Sequence, residues 1–244
     1  MEPQGRTLPP VQQVRSVSGA SGGRGVQQGW AGVAWGTHAT AAYLGPTLRD
    51  LLAVAAADGD IEVVASDIPI GLPGQWPPAG GGTCPEGSRP RWQSVFMTPV
   101  RHVLLAGDRL SAVLVIQQLA GQGVSAQAYG LRTKIFELDA WIQDCAHTAI
   151  EVHPEPCVAA MAGWPVPTRK KTWAGAEQRR RLLEAAGIRL PSELDLVGEM
   201  AAVDAAPDAA VVAWTACGHA HAQARSIPQD PQVFSDGIRC AIWA

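Results

Sequence analysis

Three acidic side chains stand where charge is expensive. Asp67 closes the apolar run Ile61-Glu62-Val63-Val64-Ala65-Ser66, Glu151 lies inside Ala149-Ile150-Glu151-Val152-His153, and Asp208 opens an Ala/Val-rich stretch that continues to Trp214. A lone carboxylate beside apolar core either shifts its pKa or finds a partner. Taken singly, each has an ordinary explanation: Asp67 caps a turn, Glu151 pairs with Arg or Lys, and Asp204 and Asp208 favour a helix N-terminus, with Pro207 in the same first turn. If the two strand ends and the last helix converge, the balance changes, because carboxylates ~4 Å apart repel by roughly 4 kcal/mol at an effective dielectric of 20. Such a cluster needs a cation. Hard divalent ions with oxygen ligands, Mg²⁺ or Mn²⁺, fit an all-carboxylate site, and a pair of them would polarise a phosphodiester and stabilise its attacking and leaving oxygens. Phosphodiester hydrolysis is the reaction class this pattern implies.

Around the acids lie groups able to handle protons and phosphates. Glu151 and His153 are two apart on a strand and face one side, and Glu155 follows the chain reversal at Pro154. Arg169, Lys170, Lys171, Arg179, Arg180 and Arg181 place six of the nineteen basic residues within thirteen positions. Such a run is either a solvated helix face or an edge that tracks phosphates. Gly19-Ala20-Ser21-Gly22-Gly23 matches a nucleophile-elbow pattern in form only, since the chain after it runs toward a strand and no paired histidine is suggested. His219 and His221 are i and i+2 on a helix and make a poor metal pair.

The elements that must carry these residues follow from periodicity and breakers. Short β-like runs are expected at 14–18, 30–35 and 40–44, the last two joined at Gly36-Thr37. Thr47 caps a helix with Leu48, Leu51, Leu52 and Ala55 at helical spacing, ended by Gly59. A strand at 61–67 is stopped by Pro69, Gly71 and Pro73, and the Pro/Gly-rich segment 75–91 is a loop too long to be a mere connector. Helices are expected from Thr98-Pro99, at 110–119 and at 135–145, then a strand at 148–153 closed by Pro154, then helices at 177–186 and 203–221. Hairpin strands followed by alternating units argue for an α/β fold with a mixed sheet covered by helices.

Composition narrows the function classes. With 244 residues and 47% hydrophobic content the chain can bury a real core, and a net charge of -3 provides no global basic field, which excludes a histone-like role. No apolar run approaches the ~20 residues needed to cross a bilayer. Residues 1–28 have no apolar h-region and do not read as a secretory signal, so a cytoplasmic location is expected. The five scattered cysteines, Cys84, Cys145, Cys157, Cys217 and Cys240, show no C-x-x-C pair and read as reduced thiols. We expect a disordered tail at 1–14 and a single domain at 15–244; oligomeric state is not encoded legibly.

The ordered motifs Asp67-Ile68-Pro69-Ile70-Gly71-Leu72-Pro73, Ser94-Val95-Phe96, Lys134-Ile135 with Glu137 and Asp139, Glu151-Val152-His153-Pro154-Glu155, Lys170-Lys171-Thr172 with Gly175, and Asp208-Ala209 leading to Ala213-Trp214-Thr215-Ala216 complete the pattern. From Gly29 to Ala244 this resembles the domain of unknown function 429 family, described as predicted ribonuclease H-like nucleases. The resemblance implies a ribonuclease H-like mixed five-stranded sheet flanked by helices, with a helical and loop insertion between the fourth and fifth strands. It further implies a metal-dependent nuclease site holding Mg²⁺ or Mn²⁺ on Asp67, Glu151 and Asp208, with His153 as a further catalytic group. Glu155 and Asp204 would support those ligands, and Lys170, Lys171, Arg179 and Lys134 would contact substrate.

Three positions depart from the family pattern. The family's first strand carries an Asp in a segment like G-V-D-G before G-W, whereas Gly25-Val26-Gln27-Gln28 before Gly29-Trp30 has no carboxylate. Thr83-Cys84-Pro85-Glu86 replaces an Arg-x-Cys-Asp pattern, and Ala205 stands where an Asp beside Asp204 is common. Loss of the first-strand Asp weakens ion binding. The sequence therefore supports a nuclease with impaired catalysis, a non-catalytic relative binding nucleic acid, a nucleotide or a protein, or a small-substrate enzyme on the same scaffold.

Overall fold

The computed structural model describes residues 14–18, 29–36, 40–74, 100–121, 123–191, 204–234 and 236–244. Of the expected tail at 1–14, residues 1–13 lie outside these residues while Val14 begins a strand, and the glycine-rich motif at 19–23, the segment 25–28, Thr37 and the loop 75–91 with its continuation to Pro99 also lie outside them.

The fold is mixed α/β around a mixed sheet. Strands β1 (Val14–Ser18), β2 (Trp30–Trp35) and β3 (Thr40–Gly45) form an antiparallel meander, and β4 (Val63–Ser66) and β5 (Thr148–Val152) extend it in parallel from β1. A C-terminal pair, β6 (Ser226–Val233) and β7 (Arg239–Trp243), completes the order β3-β2-β1-β4-β5-β7-β6, with β7 parallel to β5. Among the described residues the sheet thus has seven strands where five were expected. Pro228, Asp230 and Pro231 hide β6 from a sequence reading because proline cannot serve a central ladder. An edge strand tolerates it, and β6 is at the edge.

The helices follow their caps. Thr47 accepts from the Asp50 amide at 3.1 Å to start α1 (Leu48–Ala57), which buries Leu48, Leu51, Leu52 and Ala55. Between β4 and β5 lie α2 (Arg101–Leu104), α3 (Arg109–Ala120), α4 (Ala126–Gly130) and α5 (Arg132–Asp144), the helical insertion expected there. Pro154 does not simply end β5. It is the first residue of α6 (Pro154–Ala162), a position where its missing N–H costs nothing. Next come α7 (Trp173–Ala185), begun earlier than expected by the Thr172 cap, and α8 (Ala205–Ala220).

Two apolar layers sandwich the sheet. On one face α8 lies across β1, β2 and β4, joined by α6 and α7, and its run from Ala205 to Gly218 is buried on nearly every side. Small alanines allow that close approach, and a helix apolar all round belongs in a core. Trp30, Val64, Leu48, Leu51, Ile135 and Leu138 fill the opposite face under α1 and α5. Registers Val17↔Ser66 and Ser66↔Glu151 bring the carboxyl ends of β1, β4 and β5 level, with Ser18 as the β1 residue beside the position of Asp67. The parallel strand between β2 and β4 is therefore 14–18, and it offers no carboxylate at its end.

Candidate functional site

Past β4 the segment 67–73 folds down along the neighbouring strands. The Ser66 hydroxyl accepts from the Ile68 amide at 3.1 Å, the Ile70 amide donates to Glu151 Oε2 at 2.9 Å, and the Leu72 amide donates to Asp236 Oδ2 at 2.9 Å. Ile68, Ile70 and Leu72 are buried, and Gly71 takes a left-handed φ of 81° that turns the chain between them. Glu151 is thus an anchor for this loop. Burial pushes its carboxyl up to about 7 against the opposing Ile70 N–H. Burial, with the charges of Glu151 and Asp236 behind it, pushes the Cys240 thiol up to about 12. Arg101 closes the same corner, forked onto Asp139 at 2.8 and 2.9 Å and 3.7 Å from Asp236.

Asp67 lies in the field of Lys134 on α5. The Lys134 ammonium sits over the Trp30 ring at 4.6 Å and donates to the Gly29 carbonyl at 2.5 Å. Burial pulls its pKa down to about 8, while Asp67 and Glu137 oppose that shift. Glu137, one helical turn along, accepts from the Trp30 indole at 2.8 Å and from the Leu48 amide at 2.5 Å, tying β2, α1 and α5 together. The resemblance gave Glu137 no separate role. Its signal was the i, i+3 spacing from Lys134.

On the opposite layer, α8 presents Asp208 from its first turn at 4% exposure. Lys170 donates to Asp208 Oδ2 at 2.5 Å and lies 3.7 Å from Asp204. Arg179 is 1% exposed, with Nη2 on both oxygens of Glu155 at 2.8 and 2.9 Å and Nη1 on the Gly175 carbonyl at 3.4 Å. Glu155 follows β5 almost directly and its charge also acts on Lys170, which places this cluster at the carboxyl end of the sheet. Burial pushes the Asp208 carboxyl up, Lys170 and Arg179 pull it back, and Asp204 adds to the rise. Asp208 Oδ1 and Arg179 Nε are both buried without a hydrogen-bond partner among the described residues.

The loop before α7 is built to hold Lys170 there. Thr172 Oγ1 donates to the Arg169 carbonyl at 2.7 Å, the Thr172 amide donates to that same carbonyl at 3.0 Å, and the Gly175 amide donates back to Thr172 Oγ1 at 3.2 Å. A Cβ on Gly175 would lie 2.0 Å from the Arg169 carbonyl oxygen, so glycine is required for this close approach. Lys170 turns inward to the acids, while Arg169 and Lys171 are exposed.

The basic run is divided between different surroundings. Arg179 faces the interior and is held by Glu155; Arg180 pairs with Glu177 and Glu184, and Arg181 with Glu177. Gly175, Arg179 and Leu183 are buried at a spacing of four, which is what turns Arg179 inward. His153 is the half-buried N-cap residue of α6.

The structure brings together Asp208, Asp204, Glu155, Lys170 and Arg179, and it sets Asp67, just past β4, in the field of Lys134. Glu151 is bound to the loop amide between Asp67 and Gly71. Among the described residues no group of three His, Cys, Asp or Glu side chains is placed to hold a metal ion. Among the described residues the expected all-carboxylate pocket on Asp67, Glu151 and Asp208 is thus not assembled. An ammonium of this same chain serves two of the acids, Lys170 for Asp208 and Asp204, while Asp67 lies in the field of Lys134. Among the described residues no helix is long and apolar enough to cross a membrane.

A family model described as "Protein of unknown function (DUF429)" matches residues 23–233. No curated protein and no solved structure matches the chain.

Proposed function

We propose that this chain, which belongs to the DUF429 family, is a ribonuclease H-like protein that binds a phosphate-bearing ligand, a nucleotide or a nucleic acid strand, without metal-dependent hydrolysis. Support for the ribonuclease H-like part comes from the five-strand portion β3-β2-β1-β4-β5, an antiparallel meander continued by two parallel strands, to which the β6–β7 pair is an addition. The carrying observation for the absence of hydrolysis is Lys170, an internal cation seated between Asp208 and Asp204. A divalent ion would have to displace an ammonium held by two carboxylates at a buried position, and β1 contributes no acid to compensate. Binding of phosphate falls to the outward cations of the same loop, Arg169 and Lys171. A cytoplasmic setting accompanies this reading, in keeping with the free thiols of Cys145, Cys157, Cys217 and Cys240.

A metal-dependent nuclease is the second reading, favoured by the register that sets Asp67 and Glu151 at neighbouring carboxyl ends of parallel strands. The two are separated by incubating purified protein with labelled single- and double-stranded substrates and with mononucleotides, in Mn²⁺ and in EDTA, beside calorimetric titration with Mn²⁺. We expect intact substrates, ligand binding that survives EDTA and no saturable Mn²⁺ isotherm. Mn²⁺-dependent cleavage that disappears in Asp208→Ala would establish the nuclease instead.

A further inference from the structure

The loop that points Lys170 inward points a different set of side chains out. Trp173, the first residue of α7, is 86% exposed, and Trp164, just past α6, is 45% exposed. Between them lie Arg169 and Lys171, both exposed, and among the described residues neither has a carboxylate within ion-pair distance. The acids nearest in the fold are already engaged from behind: Asp208 and Asp204 by Lys170, Glu155 by Arg179. Among the described residues the outward charge of the loop is therefore positive.

An indole left this open to water contributes little to the core, and the loop that displays it is held by its own hydrogen bonds. Thr172 bonds the Arg169 carbonyl twice and caps α7 through the Gly175 amide, while Gly175 leaves no room for a side chain beneath Arg169. An exposed indole face beside two unpaired cations on a fixed turn fits a ligand that offers flat π surfaces and negative charges in alternation. Single-stranded nucleic acid is that ligand: unstacked bases lie on aromatic rings while the backbone follows the cations. A duplex keeps its bases stacked and offers the indole no face.

We infer that the 164–173 loop is a single-strand nucleic acid contact surface, with Trp173 as a stacking platform and Arg169 and Lys171 as phosphate contacts. This rests on the proposed ligand-binding reading and specifies its ligand. The test is fluorescence anisotropy with a labelled single-stranded oligonucleotide, the matching duplex and a labelled mononucleotide, at 50 and 200 mM salt, on the full chain. The single strand should bind more tightly than the duplex. Trp173→Ala should weaken it roughly tenfold and Trp173→Phe should restore most of that loss. Lys171→Gln should lower the slope of log affinity against log salt by about 0.7. Each variant is checked by circular dichroism and melting temperature, which an exposed position should leave unchanged.

Equal binding by wild type and Trp173→Ala, or a preference for duplex, overturns the inference. Mononucleotide binding without strand binding overturns it too, while leaving the broader ligand-binding reading in place. Conversely, Mn²⁺-dependent cleavage of a strand whose binding still needs Trp173 would sink the non-hydrolytic reading and sustain this surface. Absence of binding by any of the three probes removes both.

Discussion

Replacing Lys170 by methionine keeps the length of the stem and deletes the ammonium from Asp208 and Asp204. Unit charges 2.5 Å apart attract by about 7 kcal/mol at an effective dielectric of 20. Most of that is offset by the desolvation both groups have already undergone. What matters is the state left behind, a carboxylate at 4% exposure with one oxygen already lacking a hydrogen bond and Asp204 still nearby. Breaking a buried pair from one side costs about 3–5 kcal/mol. The Lys170 side chain is 34% exposed, and solvent screening reduces the cost to about 2–3 kcal/mol. For a chain of this size that lowers the melting temperature by about 5–10 °C at neutral pH. The sign of the pH dependence follows from Asp208, whose folded pKa is already raised by burial. Without Lys170 it rises further, so the folded state takes up a proton at a pH where the unfolded chain has none. The defect should therefore shrink as pH falls from 7 to 5. Urea unfolding of wild type, Lys170→Met, Asp208→Asn and the double variant at both pH values measures it, and Lys170→Met should cost less in the Asp208→Asn background. A Lys170→Met protein within about 0.5 kcal/mol of wild type at both pH values would refute the buried pairing and, with it, the claim that the chain supplies its own cation.

Two further outcomes test the other layer. Glu151 titrates near 7 in the folded chain against an ordinary 4.5, so wild-type stability should fall as pH rises through that window, by roughly 3 kcal/mol in all. Glu151→Gln keeps an acceptor for the Ile70 amide and should flatten the profile; unchanged slopes between pH 5 and 8 would show that Glu151 is not the group responsible. Glu137→Ala strands the Trp30 indole N–H and the Leu48 amide and should cost about 2–4 kcal/mol by chemical denaturation, with Glu137→Gln recovering part of it.

Some of this was legible before any coordinates. Thr47 marks a helix start by local chemistry alone, and the helical spacing of Leu48, Leu51, Leu52 and Ala55 names the buried face of α1. The buried state of Asp208 was legible too, as an acid in a run of alanine and valine. Its partner was not, because Lys170 reaches it across 38 positions and a loop whose shape depends on Gly175. In the charge run, the i+3 and i+4 partners of Arg180 and Arg181 can be read from spacing. Arg179 is turned inward by its spacing of four from the buried Gly175 and Leu183, but its partner Glu155, 24 positions away, is not readable from spacing. β6 was missed for a physical reason of its own: its prolines mark a strand that pairs on one side.

The same distinction decides how the acids should be understood. A sequence shows carboxylates in costly places but not what offsets the cost, and an incoming metal ion and an internal lysine satisfy the same electrostatic demand. They differ in what they leave for a ligand. A metal keeps open coordination positions and polarises what enters them, whereas the Lys170 ammonium spends itself on Asp208 and Asp204 inside the fold. Closing the acids in this way also reduces the negative field that would repel a phosphate, and among the described residues it leaves Arg169 and Lys171 on the outer side of the same turn without a carboxylate partner. On the proposed reading, the arrangement that sets Lys170 against the acids is thus the one that would make the outer surface of the loop attractive to a polyanion.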